Sequence, residues 1–179
     1  MNVYNQLKEI QKKKHQCKFF LKVESEEYTL HGYVLEINKE FIYIREILDF
    51  TVDGLRIFKL DNIEKIRYGK FDKASSKINE KEGLLPTIYT FEKIELKNYQ
   101  TIFKTIKKTF KFSIVESTYK DKLAFNIGEI IRVNKNSVSH LYFDATGKLD
   151  KKPTLIPYND IIIIGFDNNY LNVFQKHLR

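Results

Sequence analysis

Apolar residues along this chain fall into short runs of β-branched and aromatic side chains, and the runs come in two similar series. The first series covers residues 19–23, 28–37, 41–46, 55–60 and 63–68; the second covers 112–115, 123–133, 137–143, 154–158 and 161–166. Runs of this length, bounded by Gly, Asn and Asp, predict β-strands. A segment with helical spacing precedes each series. Tyr99, Ile102, Phe103, Ile106 and Phe110 form one apolar face, with Asn98 placed to cap it, while Val3, Leu7 and Ile10 form a shorter stripe. Near the end, Asp167-Asn168-Asn169 signals a turn before Tyr170, Leu171, Val173 and Phe174, which read as a final helix or strand.

The two series align. Gly32-Tyr33-Val34-Leu35-Glu36-Ile37-Asn38-Lys39 matches Gly128-Glu129-Ile130-Ile131-Arg132-Val133-Asn134-Lys135 without a gap, and residues 60–66 face 158–164 after a two-residue insertion. Self-similarity at an offset of 96 residues, from Gly32 to Gly128, predicts domain duplication. Solenoid units recur at only about 20 to 50 residues. The Asn-Lys pairs sit where hairpin turns are needed, with Asn tolerating the left-handed conformation. Gly32 and Gly128 lie inside long strand patterns, where glycine marks a bulge or sharp bend. Five short, bent strands per copy predict two small closed barrels. The expected layout is a helix and barrel over residues 1–70, a polar connector over 71–95, read as a linker or a polar helix, and a second helix and barrel over 96–179.

A helix followed by a five-stranded bent barrel resembles the Sm-like fold. Gly32-x-Val34 … Asn38 … Phe41 looks like the first Sm motif, and residues 58–66, Phe-Lys-Leu-Asp-Asn-Ile-Glu-Lys-Ile, are similar to the second. The resemblance implies a mainly β (α+β) chain of two tandem Sm-like five-stranded antiparallel barrels, each with an N-terminal helix. In RNA-binding Sm proteins four motif positions form a base pocket. Here they read Asn38, Ile42, Lys59 and Leu60 in the first copy and Asn134, Val138, Pro157 and Tyr158 in the second. Only Asn38 and Lys59 in the first copy, and Asn134 in the second, keep suitable chemistry, so the resemblance carries a scaffold more than an RNA reader. The tandem pair with Arg67–Lys73 also looks like two-domain bacterial proteins, a likeness that implies no function.

Charge alters this picture through its location. The net charge is +8, yet residues 4–22 and 93–111 each hold six Lys and one Glu, so the rest of the chain sums to −2. All the excess lies in the two helical segments and their exits. Lys on an exposed helix face is ordinary, but Lys12, Lys13, Lys14, Lys107 and Lys108, with aromatics nearby, are the candidate contacts for phosphates. Those aromatics are expected to face the core.

Catalytic chemistry finds little support. Cys17 is the single cysteine, which excludes an internal disulfide and a Cys metal cluster and suits a reducing compartment, the cytoplasm. His15, His31, His140 and His177 are scattered without metal-ligand spacing, and the seven Gly form no phosphate loop. Carboxylates gather at Glu24, Glu26 and Glu27 and at Asp144, Asp150, Asp160 and Asp167, in places where acidic residues terminate strands. No apolar run reaches membrane-spanning or signal-peptide length. The expectation is a non-enzymatic, cofactor-free protein, monomeric or homodimeric, whose two barrels scaffold a protein partner as adaptor or inhibitor. The alternative is weak, salt-sensitive binding of RNA or single strands through the Lys-rich helices.

Overall fold

A computed structural model describes residues 2–23, 28–119 and 122–179. The chain divides into two compact units, Met1–Glu92 and Lys93–Arg179. In the first, helix α1 (Val3–Lys13) starts where the Asn2 side chain accepts a hydrogen bond from the Tyr4 amide, and it buries Leu7 and Ile10. Lys14, left-handed at φ 52°, closes it and turns the chain into β1 (Gln16–Leu21). Strands β2 (Tyr28–Ile37), β3 (Phe41–Leu48) and β4 (Thr51–Lys59) follow, then one 3-10 turn and β5 (Ile63–Arg67). Their antiparallel order is β5-β1-β2-β3-β4. Strands β3 and β4 are buried on both faces along much of their length, as at Phe41–Ile44 and Ile57–Phe58, and the rings of Phe19 and Phe58 meet edge to face at 5.5 Å.

Residues 70–88 hold two more helices, α2 (Lys70–Lys81) and α3 (Leu85–Ile88). Helix α2 is inverted. Its buried residues are Asp72, Ser76 and Asn79, while Phe71 and Ile78 are exposed. Buried polar groups need partners, and the side-chain atoms of these three residues find them, Asn79 Oδ1 excepted. Ser76 Oγ accepts from the Gln16 amide at 2.8 Å, and Asn79 Nδ2 lies 2.9 Å from both Gln16 Oε1 and Tyr33 Oη. Asp72 takes two hydrogen bonds from Arg67 and one from the Gly69 amide.

The second unit repeats the order of elements. Helix α4 (Tyr99–Thr109), capped by Asn98 Oδ1 on the Thr101 amide, buries Tyr99, Ile102, Phe103 and Ile106. After left-handed Lys111 come β6 (Phe112–Tyr119), β7 (Lys122–Val133), β8 (Ser137–Tyr142), β9 (Thr154–Pro157), a 3-10 turn and β10 (Ile161–Phe166), ordered β10-β6-β7-β8-β9. Phe103 stacks on Tyr158 at 5.8 Å, and α5 (Asn169–Phe174) brings Leu171 and Phe174 onto Ile114, Ile127 and Phe143.

The strands lie where the pattern placed them, but the expected architecture does not form. The sheet is open and antiparallel, and the chain is not a duplicated pair of closed Sm-like β barrels. Closure requires the two edge strands to come within ladder distance. Among the described residues β4 forms no ladder with β5, nor β9 with β10; across the single 3-10 turn between each pair the two strands stand at opposite ends of their five-strand order. The bends come from bulges at Val34–Glu36, Arg45–Ile47 and Ile130–Arg132 rather than at the glycines. Gly32 is needed for a different reason. A Cβ there would sit 2.5 Å from the Arg45 carbonyl, and one at Gly128 would overlap that of Leu141. The two Asn turns also work differently from expectation. Neither Asn38 nor Asn134 is left-handed; Asn38 Oδ1 instead accepts from the Glu40 and Phe41 amides at 2.8 and 2.7 Å.

Candidate nucleic-acid interface

Burying Tyr99, Ile102, Phe103 and Ile106 turns the other side of α4 outward, and Lys104, Lys107 and Lys108 lie there, with Lys111 just past the end. Lysines in a last turn are favoured by the carbonyl end of the helix dipole. Lys107 Nζ reaches across to the Ile131 carbonyl at 2.6 Å, which ties the helix face to β7, where Arg132 is also exposed. Lys104, Lys108 and Lys111 form no ion pair among the described residues. The second unit holds fifteen Lys and Arg against eight Asp and Glu, a net of +7, whereas the first holds sixteen against fifteen.

In the first unit Lys12 and Lys13 occupy the last turn of α1 and Lys14 its cap, all exposed. Lys14 Nζ stands 5.2 Å from the centre of the Tyr89 ring. Lys13 and Lys73 both lie over Tyr68, at 6.0 and 5.2 Å. Folding thus joins α1's lysines to those of α2, which had read as polar connector because its buried face carries no apolar stripe. Lys18 and Lys65 similarly lie over Phe20, at 4.9 and 5.6 Å. Cation–π contacts at exposed sites contribute about 0.5–1 kcal/mol. The remaining aromatics near the lysines turn inward: Phe19 and Phe103 are fully buried, and Phe110 packs on Phe166 at 5.0 Å.

Asn38 and Lys59 meet around Glu40. The Asn38 side chain holds the Glu40 amide, Lys59 Nζ is 3.5 Å from the Glu40 carboxylate, and the Leu60 amide donates to the Glu40 carbonyl at 2.8 Å. A groove of about 590 Å³ opens beside them, lined by Asn2, Tyr4, Lys22, Lys39 and Asp61.

Other titratable groups are fixed by burial or by pairing. Cys17 is fully buried, and burial together with nearby Asp72 pushes its thiol up. His140 is also fully buried, its Nε2 3.0 Å from Ser113 Oγ, and desolvation lowers its pKa to about 4. Burial alone would raise Asp72, but hydrogen bonds from Arg67 and Gly69 hold it below the usual carboxylate range. Among the described residues no group of His, Cys, Asp or Glu is arranged to hold a metal ion. Glu24, Glu26 and Glu27 lie outside the described residues. No described helix is long and apolar enough to cross a membrane.

No family model and no solved structure matches the chain. It is similar to part of an alanine–tRNA ligase from Buchnera aphidicola subsp. Schizaphis graminum. The identity is 32% over 123 residues, which cover 69% of this chain and 12% of the ligase.

Proposed function

We propose that this chain is a non-enzymatic, cofactor-free protein that binds RNA or single-stranded nucleic acid through its phosphates, without reading sequence. The supporting observation is the exposed lysine face of α4, continued by Arg132 on β7, in a unit of net charge +7. Arginine forks suit base-edge readout best; Arg45 and Arg56 are buried, Arg67 is engaged by Asp72, and Arg132 is the single arginine on a surface otherwise made of lysines. The rings nearest the α1 and α4 lysines are buried or have a lysine over them, so the contact rests on charge. Binding is then electrostatic, weak and steeply salt-dependent. The partial relative is named as a ligase acting on tRNA, itself a polyanion. In this reading the protein works in the cytoplasm as a monomer or homodimer.

Anisotropy of a labelled single-stranded RNA against salt concentration tests the reading. The logarithm of the binding constant should fall linearly with the logarithm of salt, and K104Q/K108Q/K111Q should flatten the slope by about 2, at ~0.7 per phosphate contact. Binding that ignores salt, or none, overturns it.

A second reading, a scaffold for a protein partner, draws on the β3–β4 hairpin. Asp49 and Phe50 are left-handed there, and Leu48 and Phe50 are 62% and 49% exposed. Strained backbone with exposed apolar side chains recurs at contact sites. A photo-crosslinking residue at position 50 should give a discrete protein adduct in native cells under this reading, and none if RNA binding is the whole function.

A further inference from the structure

The α1–α2 junction of the first unit gathers cations around one aromatic pair. His15 Nδ1 and Tyr68 Oη are hydrogen-bonded at 2.5 Å, with ring centres 5.9 Å apart. Lys13 and Lys73 both place Nζ within 6.0 Å of the Tyr68 ring centre. Lys77, one turn along α2 from Lys73, also acts on His15, and among the groups acting on that imidazole the only one that favours its protonation is Glu80. Lys13, Lys73 and Lys77 form no ion pair among the described residues. Like charges held this close repel one another, and exposed side chains would ordinarily swing apart. What keeps their stems together is the docking of α2, whose Asp72, Ser76 and Asn79 are locked into β1, β2 and Arg67. The cluster is therefore assembled before any anion arrives, and an arriving anion relieves repulsion instead of having to organise the site.

We propose that Lys13, Lys73 and Lys77, set about the His15–Tyr68 pair, form a binding site for a phosphoryl dianion such as a phosphomonoester or pyrophosphate. Lys13 and Lys73 over one ring, with Lys77 a turn farther along α2, match two or more negative charges on one group better than the single charge of a backbone phosphodiester. Lys13 and Lys73 both stand over the Tyr68 ring, at 6.0 and 5.2 Å, so the ligand is recognised by its phosphate. All residues of this site belong to the first unit, whereas α4 belongs to the second. In the free protein His15 lies below its ordinary pKa, through burial first and then Lys13, Lys73 and Lys77. A bound dianion offsets those lysines, so the imidazole should titrate at higher pH once the site fills.

The test is NMR of the full chain, following the His15 and Tyr68 rings during titration with inorganic pyrophosphate and, separately, with a 5′-hydroxyl oligo(dT) that carries diesters only. Pyrophosphate should give saturable shifts at both rings and raise the His15 titration midpoint. K73Q/K77Q should weaken its binding by about tenfold or more, the scale of one to two charged hydrogen bonds, while K104Q/K108Q leaves it unchanged. Three results overturn the site: shifts spread evenly over surface lysines without saturation, equal weakening by the two double variants, or unchanged binding in K73Q/K77Q. An oligo(dT) response at His15 and Tyr68 stronger than that to pyrophosphate overturns the dianion assignment. Because the RNA reading is probed through α4 in a separate titration, the two fail independently.

Discussion

At the scale of single residues, two buried polar side chains control stability. His140 is neutral in its pocket, with its pKa lowered to about 4 from an ordinary 6.5. Between those values the unfolded chain binds the proton and the folded one does not. The stabilisation is therefore complete above pH ~6.5 and is lost as pH falls toward ~4, on the order of 3 kcal/mol in all. Denaturant melts of wild type and H140F should diverge across this window, the variant losing much of the slope; parallel curves would exclude His140 as its source. Asn79 bridges Gln16 and Tyr33 beneath α2. Asn79→Ala leaves both partners unsatisfied, and a loss of about 2 kcal/mol is expected in urea unfolding. Neither role is visible in sequence, where a lone His or Asn is one polar letter among apolar ones.

At the scale of elements, spacing predicted strands and the two lysine-bearing helices well because their patterns report burial directly: alternation for a half-buried strand, i, i+3, i+4 for a helix face. At α2 the sequence left a linker or a polar helix open, and a helix forms. Its inward face is Asp72, Ser76 and Asn79, so a reading that equates inward with apolar cannot tell which side is buried. The β3–β4 turn breaks a local rule in another way. Asp49 and Phe50 hold φ of 46° and 61° where Asn-Gly is the usual pair. Phe50→Gly removes the steric cost of a left-handed Phe and should stabilise the protein by about 0.5–1 kcal/mol in thermal or urea melts. A destabilised variant would mean that the Phe50 ring contributes packing the backbone argument omits.

At the scale of the whole molecule, the charge excess is local. Residues 4–22 and 93–111 looked alike by count, yet the first is balanced by acidic residues elsewhere in its unit and the second is not. A contact surface and a diffuse net charge make different predictions. K148Q/K151Q/K152Q in the β8–β9 connection removes the same three charges as the α4 triple variant. If α4 is the contact surface, the connection variant should leave the salt slope of RNA binding within about one contact of wild type, ~0.7. Equal flattening by both would assign binding to net charge alone.

What the sequence determined by itself is what depends on neighbours along the chain: strand spans, helix faces and caps, and the two charge-rich segments. What only tertiary structure decided depends on distances between segments remote in sequence. Whether curved strands close is a matter of whether β4 meets β5, or β9 meets β10, and no periodicity encodes that. The glycines at 32 and 128 answer to a carbonyl on the next strand, and Lys13 meets Lys73 only because a polar helix face found hydrogen-bond partners on β1 and β2. Short-range pattern specifies elements; long-range pairing, which is satisfied or not only in three dimensions, specifies the open sheet and the sites on it.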